Sequence, residues 1–238
     1  MTNNSGTTPS ELKQKFADLG IHVTEDHFFT SGMATALFLH SQMPEVYKPK
    51  VAHREVIENS LLICLQGGSC YVIGEPCLRD ALAAKGFSMN AQNPDFVVLG
   101  ETSSYDYENL TTAVQLVMRG AKLIATNPDI ESLDAKGKRV PSCGTFVVIV
   151  EEITKTKAFF CGKPSALPMR YAQRVLGVKR EDTCIIGDRM DTDIVAGISS
   201  EIDSVLVLSG VTAMEDLAPF AYRPYLVLSG IGEIPEQQ

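Results

Sequence analysis

The sequence predicts an α/β fold with parallel strands, because short apolar runs alternate with amphipathic stretches along most of the chain. This alternation makes each helix a crossover between two parallel strands. Residues 146–150 fit either element, since their β-branched run favours a strand while their position after Cys143 and Gly144 suits the opening of a helix. The predicted strands are residues 70–74, 96–100, 122–125, 158–161, 184–186 and 204–208, and the predicted helices include residues 78–85, 107–118, 165–176 and 192–198.

A complete set of start signals marks the first helix. Thr8 precedes Pro9 and lies three residues before Glu11. A threonine at this place caps the first turn, proline suits the first helical position, and the glutamate completes a capping box. The apolar face of this helix is predicted to contain Leu12, Phe16 and Leu19, and Gly20 is predicted to end it.

Composition and charge exclude several classes of function. The net charge of -8 leaves no basic stripe for a nucleic acid. No apolar run approaches the roughly 18 residues of a membrane span, and the N-terminus resembles no signal peptide. The six cysteines contain no CxxC pair and the four histidines no metal-ligand spacing. We therefore expect a cytoplasmic chain with reduced thiols and neither nucleic acid nor membrane as a partner.

Gly187 and Asp188, directly after the apolar run 184–186, give the strongest chemical signal. Ligands of open α/β sheets bind at the carboxyl ends of strands, and a hard cation such as Mg²⁺ prefers carboxylate oxygens near phosphate. Asp193 follows five residues after Asp188. Two other interpretations stay open: Asp188 caps the following helix, and Asp191 lies on a solvated helix start.

Two further segments suit a phosphoryl group. Lys163, in the string Gly-Lys-Pro after the strand 158–161, can supply a compact positive charge there. The hydroxyl and amides of Thr2, Asn3 and Asn4 can donate hydrogen bonds to phosphate oxygens. The alternatives are a solvated loop lysine and a polar N-terminal tail.

In this order the signals resemble the haloacid dehalogenase superfamily, whose four motifs are a DxD nucleophile strand, a Ser/Thr, a Lys and a GD…D acid pair. Thr2 matches the second motif, Lys163 the third, and Asp188 with Asp193 the fourth. Longer strings resemble the NagD-like branch of sugar phosphatases and 4-nitrophenylphosphatases: TNNS at 2–5, YVIGE at 71–75, NPDFVVLG at 93–100, ATNPD at 125–129 and GKP at 162–164.

The resemblance implies a Rossmann-like parallel-sheet core that carries an inserted α/β cap of the C2 type. The first part of the core would be residues 1–42, the cap residues 67–157 and the second part of the core residues 158–238. Residues 43–66 would be an atypical insertion at the hinge, either an acquired loop or wrongly retained coding sequence. We expect a dispensable surface loop there, unless residues 61–65 pack into the cap as an extra strand.

The resemblance also implies a Mg²⁺-dependent phosphomonoester hydrolase. An aspartate would attack phosphorus, and a second acid would protonate the leaving group and activate water. Thr2, with Asn3 and Asn4, and Lys163 would hold the phosphoryl group, while Asp188 would bind Mg²⁺ and Asp193 would support the metal site. Asn127, Asp129 and the Cys143–Gly144 loop would contact the substrate from the cap, which is also the candidate surface for a homo-oligomer.

One motif is missing from this pattern. No strand followed by DxDG precedes Thr2 in these 238 residues, and the Asp191–Asp193 string follows no strand directly and precedes no glycine. We therefore expect the chain as given to be inactive. Met1 is then either an internal methionine taken as the start or the sign of a real loss, and an upstream in-frame strand ending in DxDG would decide for an active enzyme.

Two functions remain open, with a third disfavoured. The first is a hydrolase of small phosphorylated metabolites such as sugar phosphates, nucleoside monophosphates, phosphoglycolate or nitrophenyl phosphate. The alternative is a non-catalytic remnant that binds phosphate or a partner. A dinucleotide-binding oxidoreductase is disfavoured because no GxGxxG follows a strand.

Overall fold

A computed structural model describes residues 1–43, 68–134 and 136–234. The chain divides into two compact units, residues 1–162 and 163–238, each with its own parallel sheet. No helix within the described ranges is long and apolar enough to cross a membrane. The predicted α/β class is confirmed.

A parallel sheet organises the first unit. Its strands are β1 (Ser69–Ile73), β2 (Ser88–Met89), β3 (Phe96–Leu99), β4 (Lys122–Ala125) and β7 (Phe159–Phe160), and a hairpin joins β5 (Glu131–Leu133) to β6 (Arg139–Pro141). Its helices are α1 (Pro9–Asp18), α2 (Ser31–Gln42), α3 (Pro76–Ala83), α4 (Tyr107–Met118) and α5 (Cys143–Thr154). The described strands run in the order β2-β1-β3-β4-β7, all parallel.

Residues 146–150 are helical, which resolves the ambiguity of their sequence. Val147 and Val150 are fully buried against the sheet, whereas Val148 and Ile149 are exposed. Burial three residues apart is the period of a helix and not of a strand. Their place in the core therefore outweighs their β-branched composition.

The capping box of α1 forms as predicted, with Thr8 accepting from the Glu11 N–H and the Glu11 carboxylate accepting from the Thr8 N–H. Its apolar face is less covered than the pattern suggests, because no residue of α1 is buried and Leu19 is 76% exposed. Phe16 contacts Phe28 edge to face at 5.3 Å between ring centroids.

In the second unit, the parallel sheet consists of β8 (Cys184–Gly187), β9 (Asp203–Val207) and β10 (Leu226–Leu228), in the order β10-β9-β8 among the described strands. Helices α6 (Leu167–Leu176) and α7 (Val195–Ser200) accompany it. The predicted helix at 192–198 begins earlier, because a π-helical segment, Met190–Ile194, leads directly into α7. Met190, Ile194 and Leu206 pack together in one buried cluster.

The division into core and cap stays a prediction. Residues 159–160, which belong to the predicted second part of the core, form β7 and hydrogen-bond to β4. The two compact units meet in the sequence between Gly162 and Lys163. The insertion predicted at 43–66 lies outside the described residues except for Met43.

Candidate active site

Lys163 and Asp193 form an ion pair in the second unit. The Lys163 ammonium donates to Asp193 Oδ1, and their side chains are only 13% and 6% exposed. Asp193 Oδ2 accepts from the Arg189 backbone N–H at 3.2 Å. The alternative of a solvated loop lysine is therefore wrong, because the Lys163 charge is held inside the unit by a buried carboxylate.

Asp188 directly follows β8, at the carboxyl end of the parallel sheet. Its Oδ2 accepts from the Val211 N–H at 2.8 Å, and its carbonyl accepts from the Thr212 N–H at 3.1 Å. The carboxylate is thus oriented by the loop that follows β9, on the same edge of the sheet. This contact with another loop gives Asp188 a position that helix capping does not explain.

Two glycines make room for these acids. A Cβ at Gly187 would lie 2.2 Å from the Asp193 carboxyl carbon, and one at Gly210 would lie 2.1 Å from Asp188 Oδ2. Both distances are far below van der Waals contact. The backbone therefore approaches both carboxylates as closely as only glycine allows.

Asp191 pairs with Arg189 and not with Lys163. It is exposed and accepts two hydrogen bonds from the Arg189 guanidinium, at 3.0 and 2.8 Å. These hydrogen bonds lower the pKa of Asp191. Asp191 is therefore a solvated acid at the start of a helical segment, as its position in the sequence also indicates.

In the first unit, hydrogen bonds to residues 29–31 hold the segment around Thr2 in place. The Thr2 N–H donates to the Phe29 carbonyl at 3.0 Å, and the Thr2 carbonyl accepts from the Ser31 N–H at 2.9 Å. Thr2 Oγ1 accepts from the Asn4 N–H at 3.1 Å, and Ser31 Oγ donates to the Asn3 carbonyl at 2.6 Å. The alternative of a free polar tail does not describe these residues.

Asn127 and Asp129 lie against this segment. Asn3 Nδ2 donates to Asp129 Oδ2 at 3.0 Å, and Asn127 Nδ2 donates to the Asn3 carbonyl at 3.0 Å. Asn127 is fully buried, and its Oδ1 accepts from the Asp129 N–H at 3.0 Å. Asn3, Asn127 and Asp129, all predicted for the site, thus lie together. The Asn127 side chain is hydrogen-bonded to other residues of the protein.

The Cys143–Gly144 segment supports this turn from the start of α5. A Cβ at Gly144 would lie 2.2 Å from the Pro128 carbonyl oxygen, and the Gly144 N–H donates to the Asp129 carbonyl at 2.8 Å. Burial raises the pKa of the Cys143 thiol to about 12, so the thiol is neutral at physiological pH. Cys143 therefore contributes packing here, and the five described cysteines are free thiols.

Glu101 belongs to this cluster, although sequence reasoning missed it. Its carboxylate accepts from Asn127 Nδ2 at 2.9 Å and from Ser142 Oγ at 2.5 Å. The available signal was its place directly after the predicted strand 96–100, because polar residues just after parallel strands lie at the edge of the sheet where ligands bind. In the structure, β3 ends at Leu99 and Gly100 separates it from Glu101.

A metal ion would find an incomplete ligand set among the described residues, where no group of three His, Cys, Asp or Glu side chains is arranged to hold one. Mg²⁺ commonly takes only one or two carboxylates and fills its other positions with water and substrate phosphate. Asp188 can provide one such oxygen ligand. Both Asp193 oxygens already accept hydrogen bonds from Lys163 and Arg189, which suits a supporting place beside the metal.

Two family models match the chain. One described as haloacid dehalogenase-like hydrolase matches residues 1–88, and one described as HAD-hydrolase-like matches residues 160–234. The protein is a haloacid dehalogenase-like hydrolase. Within this superfamily it belongs to the NagD-like phosphatase branch, as its relatives show.

Those relatives are named as phosphatases, and each aligns with nearly the whole of this chain. Dihydroxyacetone phosphatase of Corynebacterium glutamicum is 34% identical over 236 residues, which cover 99% of this chain and 78% of the relative. Ribonucleotide monophosphatase NagD of Escherichia coli is 35% identical, with 98% and 83% covered. The crystal structure of a 4-nitrophenylphosphatase from Thermotoga maritima superposes with a TM-score of 0.83 at 31% identity, covering 98% of this chain and 80% of that one. This likeness confirms the fold expected of a Rossmann-like core with a cap.

Proposed function

We propose that this protein is a phosphomonoester hydrolase for small phosphorylated metabolites, with Mg²⁺ as its metal ion. The buried Lys163–Asp193 pair is the observation that supports this proposal most. Asp193 lies five residues after Asp188, which follows β8 at the carboxyl end of the sheet. A bound Mg²⁺ would polarise the phosphoryl oxygens. Asp188 would be its carboxylate ligand, and Asp193 would hold Lys163 in place.

Binding of the phosphoryl group is assigned to Thr2, Asn3, Asn4 and Lys163, whose N–H, O–H and ammonium groups suit anionic oxygens. Asp129 is proposed to contact the rest of the substrate from the cap, residues 67–157. Asn127 is proposed to belong to the same substrate-binding turn, where its amide is held by neighbouring residues. The relatives' names suggest dihydroxyacetone phosphate, ribonucleoside monophosphates and sugar phosphates as substrates to test.

Among the described residues, each acid near this site has another partner or another proposed role. Asp193 pairs with Lys163, Asp191 pairs with Arg189, and Asp188 is proposed for the metal. We therefore propose that the hydrolase activity requires a DxD strand besides these residues, and that the chain as given does not turn over phosphomonoesters, because positioning without a nucleophile leaves only water to attack. A non-catalytic protein that binds phosphate is therefore the second candidate function.

The test compares the purified chain with Asp188→Ala, using 4-nitrophenyl phosphate with Mg²⁺ or with EDTA. We expect no release of nitrophenolate above the rate of the Asp188→Ala control. Turnover that requires Mg²⁺ and disappears in Asp188→Ala would show that another carboxylate acts as nucleophile. The cytoplasmic location and a homo-oligomer formed through the cap stay predictions.

A further inference from the structure

Glu101 directs one carboxylate oxygen at three hydrogen-bond donors. Its Oε1 accepts from Asn127 Nδ2 at 2.9 Å, from Ser142 Oγ at 2.5 Å and from the Cys143 N–H at 3.3 Å. Ser142 is the N-cap of α5, where the helix dipole favours a negative charge. The Glu101 carboxylate thus joins the turn after β4 to the start of α5.

The Asn127 amide is oriented from both sides. Its Oδ1 faces a donor, the Asp129 N–H, and its Nδ2 faces two acceptors, Glu101 Oε1 and the Asn3 carbonyl. A reversed amide would place oxygen against both acceptors and nitrogen against the donor. Because Glu101 is one of those acceptors, it helps to keep an N–H of Asn127 directed at Asn3.

Glu101 also reaches the same N-terminal segment through its backbone. The Glu101 N–H donates to Ser5 Oγ at 2.9 Å, and Ser5 Oγ is 3.1 Å from Thr126 Oγ1 within a buried pair of hydroxyls. Glu101 therefore contacts residue 5 directly and residue 3 through Asn127. The segment that lies between these two contacts includes Asn4.

We infer that Glu101 is a positioning residue that holds the phosphate-binding segment, residues 2–5, in its bound conformation. The inference rests on the proposed function, in which Thr2, Asn3 and Asn4 bind the phosphoryl group. A carboxylate in contact with phosphate would repel it. Glu101 instead acts through Asn127 and Ser5. Its negative charge is neutralised in part by the hydrogen bonds that its Oε1 accepts from Asn127, Ser142 and Cys143.

Two variants separate the hydrogen bonds of Glu101 from its charge. Glu101→Leu removes the acceptor, whereas Glu101→Gln removes the charge and keeps an acceptor oxygen. Glu75→Leu is the matched control, because Glu75 also follows a strand of this sheet and its carboxylate accepts from Thr102 Oγ1 at 2.7 Å. Asn127→Ala removes the same contacts from the other partner.

The first measurement is hydrogen exchange by NMR at the Asn127 side-chain amide and at the Asn4 N–H, which is bonded to Thr2 Oγ1. Loss of one buried hydrogen bond predicts exchange on the order of tenfold faster in Glu101→Leu. Glu101→Gln and Glu75→Leu should stay within about threefold of the parent chain. Unchanged exchange in Glu101→Leu would overturn the inference.

The second measurement is binding of inorganic phosphate to the same folded chains, followed by ¹H–¹⁵N shifts. We expect Glu101→Leu to bind about tenfold more weakly and Glu101→Gln to bind within about threefold of the parent. Equal or tighter binding by Glu101→Leu would overturn the inference, because it would show that only the charge near the segment matters.

Two further outcomes are informative. If Glu101→Leu does not fold, Asn127→Ala must speed exchange at the Asn4 N–H by about tenfold, because it removes the same contact with Asn3 from the other partner. Unchanged exchange at Asn4 in Asn127→Ala would contradict the inference. If the parent chain binds no phosphate, the proposed function of residues 2–4 fails. The exchange rates alone then decide whether Glu101 positions the segment.

Discussion

The Lys163 ammonium and the Asp193 carboxylate are partners in a buried ion pair within the second unit. From sequence alone, Lys163→Ala in a chain completed with the DxD strand is expected to lose most of the activity and leave the fold intact, since the lysine charge would counter the phosphoryl oxygens and not pack a core. The burial of the pair changes this expectation. Asp193 would remain in the interior without its cation, and an uncompensated buried charge is strongly destabilising.

We therefore predict that Lys163→Ala lowers the free energy of unfolding by about 3–5 kcal/mol. Urea denaturation followed by circular dichroism measures this change. The double variant Lys163→Met with Asp193→Leu is the control, because removing both charges should recover most of the loss. A Lys163→Ala chain as stable as the parent would show that solvent reaches the pair.

A second prediction concerns the close approach of Gly210 to Asp188. The Cβ of Gly210→Ala would overlap Asp188 Oδ2, so the carboxylate or the loop after β9 must shift. Forced shifts of this kind in packed regions cost about 1–3 kcal/mol. Thermal and urea unfolding should show that loss, while Gly232→Ala, whose Cβ meets no atom within 4 Å, should change stability by less than about 0.5 kcal/mol. Equal effects of the two substitutions would contradict the packing argument.

Local signals explain which elements could be predicted from sequence. The capping box of α1 lies within four residues, so the helix start can be recognised without tertiary structure. Residues 146–150 have no such signal, and only burial of Val147 and Val150 on one side decides for a helix. The π-helical start of α7 also depends on its surroundings, with Met190 and Ile194 buried against Leu206.

The site residues show the same limit. Lys163 and Asp188 come soon after strands, and Asp193 completes the GD…D string. The structure does bring Lys163 and Asp193 together. Asn127 was predicted as a substrate contact, but its amide bonds to Asn3, 124 residues away, and to Glu101, 26 residues away. Such distant partners leave no pattern in a single sequence.

The buried thiols give a third prediction. Burial raises the pKa of Cys70, Cys143 and Cys161 to about 12, whereas Cys184 is exposed. An acid with a raised pKa stays protonated at higher pH, and only the thiolate reacts with alkylating agents. Iodoacetamide at pH 7–9 should therefore label Cys184 and leave these three thiols unmodified until urea unfolds the chain. Peptide mass spectrometry resolves the sites, and rapid labelling of Cys143 in the folded chain would contradict its assigned burial.

The last prediction concerns the segment 43–66, which we expect to be dispensable for the first unit. The described residues on either side of it lie close together, because a Cβ at Gly68 would be 3.0 Å from the Met43 methyl carbon. A short connection can therefore span the gap. Long surface insertions also cost little, since the entropy of loop closure grows only logarithmically with length.

Joining Gln42 to Gly67 should accordingly leave the melting temperature unchanged or raise it, as differential scanning calorimetry would measure. The same deletion made in the Glu75→Leu chain should change the melting temperature by the same amount, since the two changes are expected to be additive. The competing expectation is that residues 61–65 pack into the cap as an extra strand. Deletion would then expose apolar surface, and the protein would aggregate or melt several degrees lower. That result would move the boundary of the cap toward Met43.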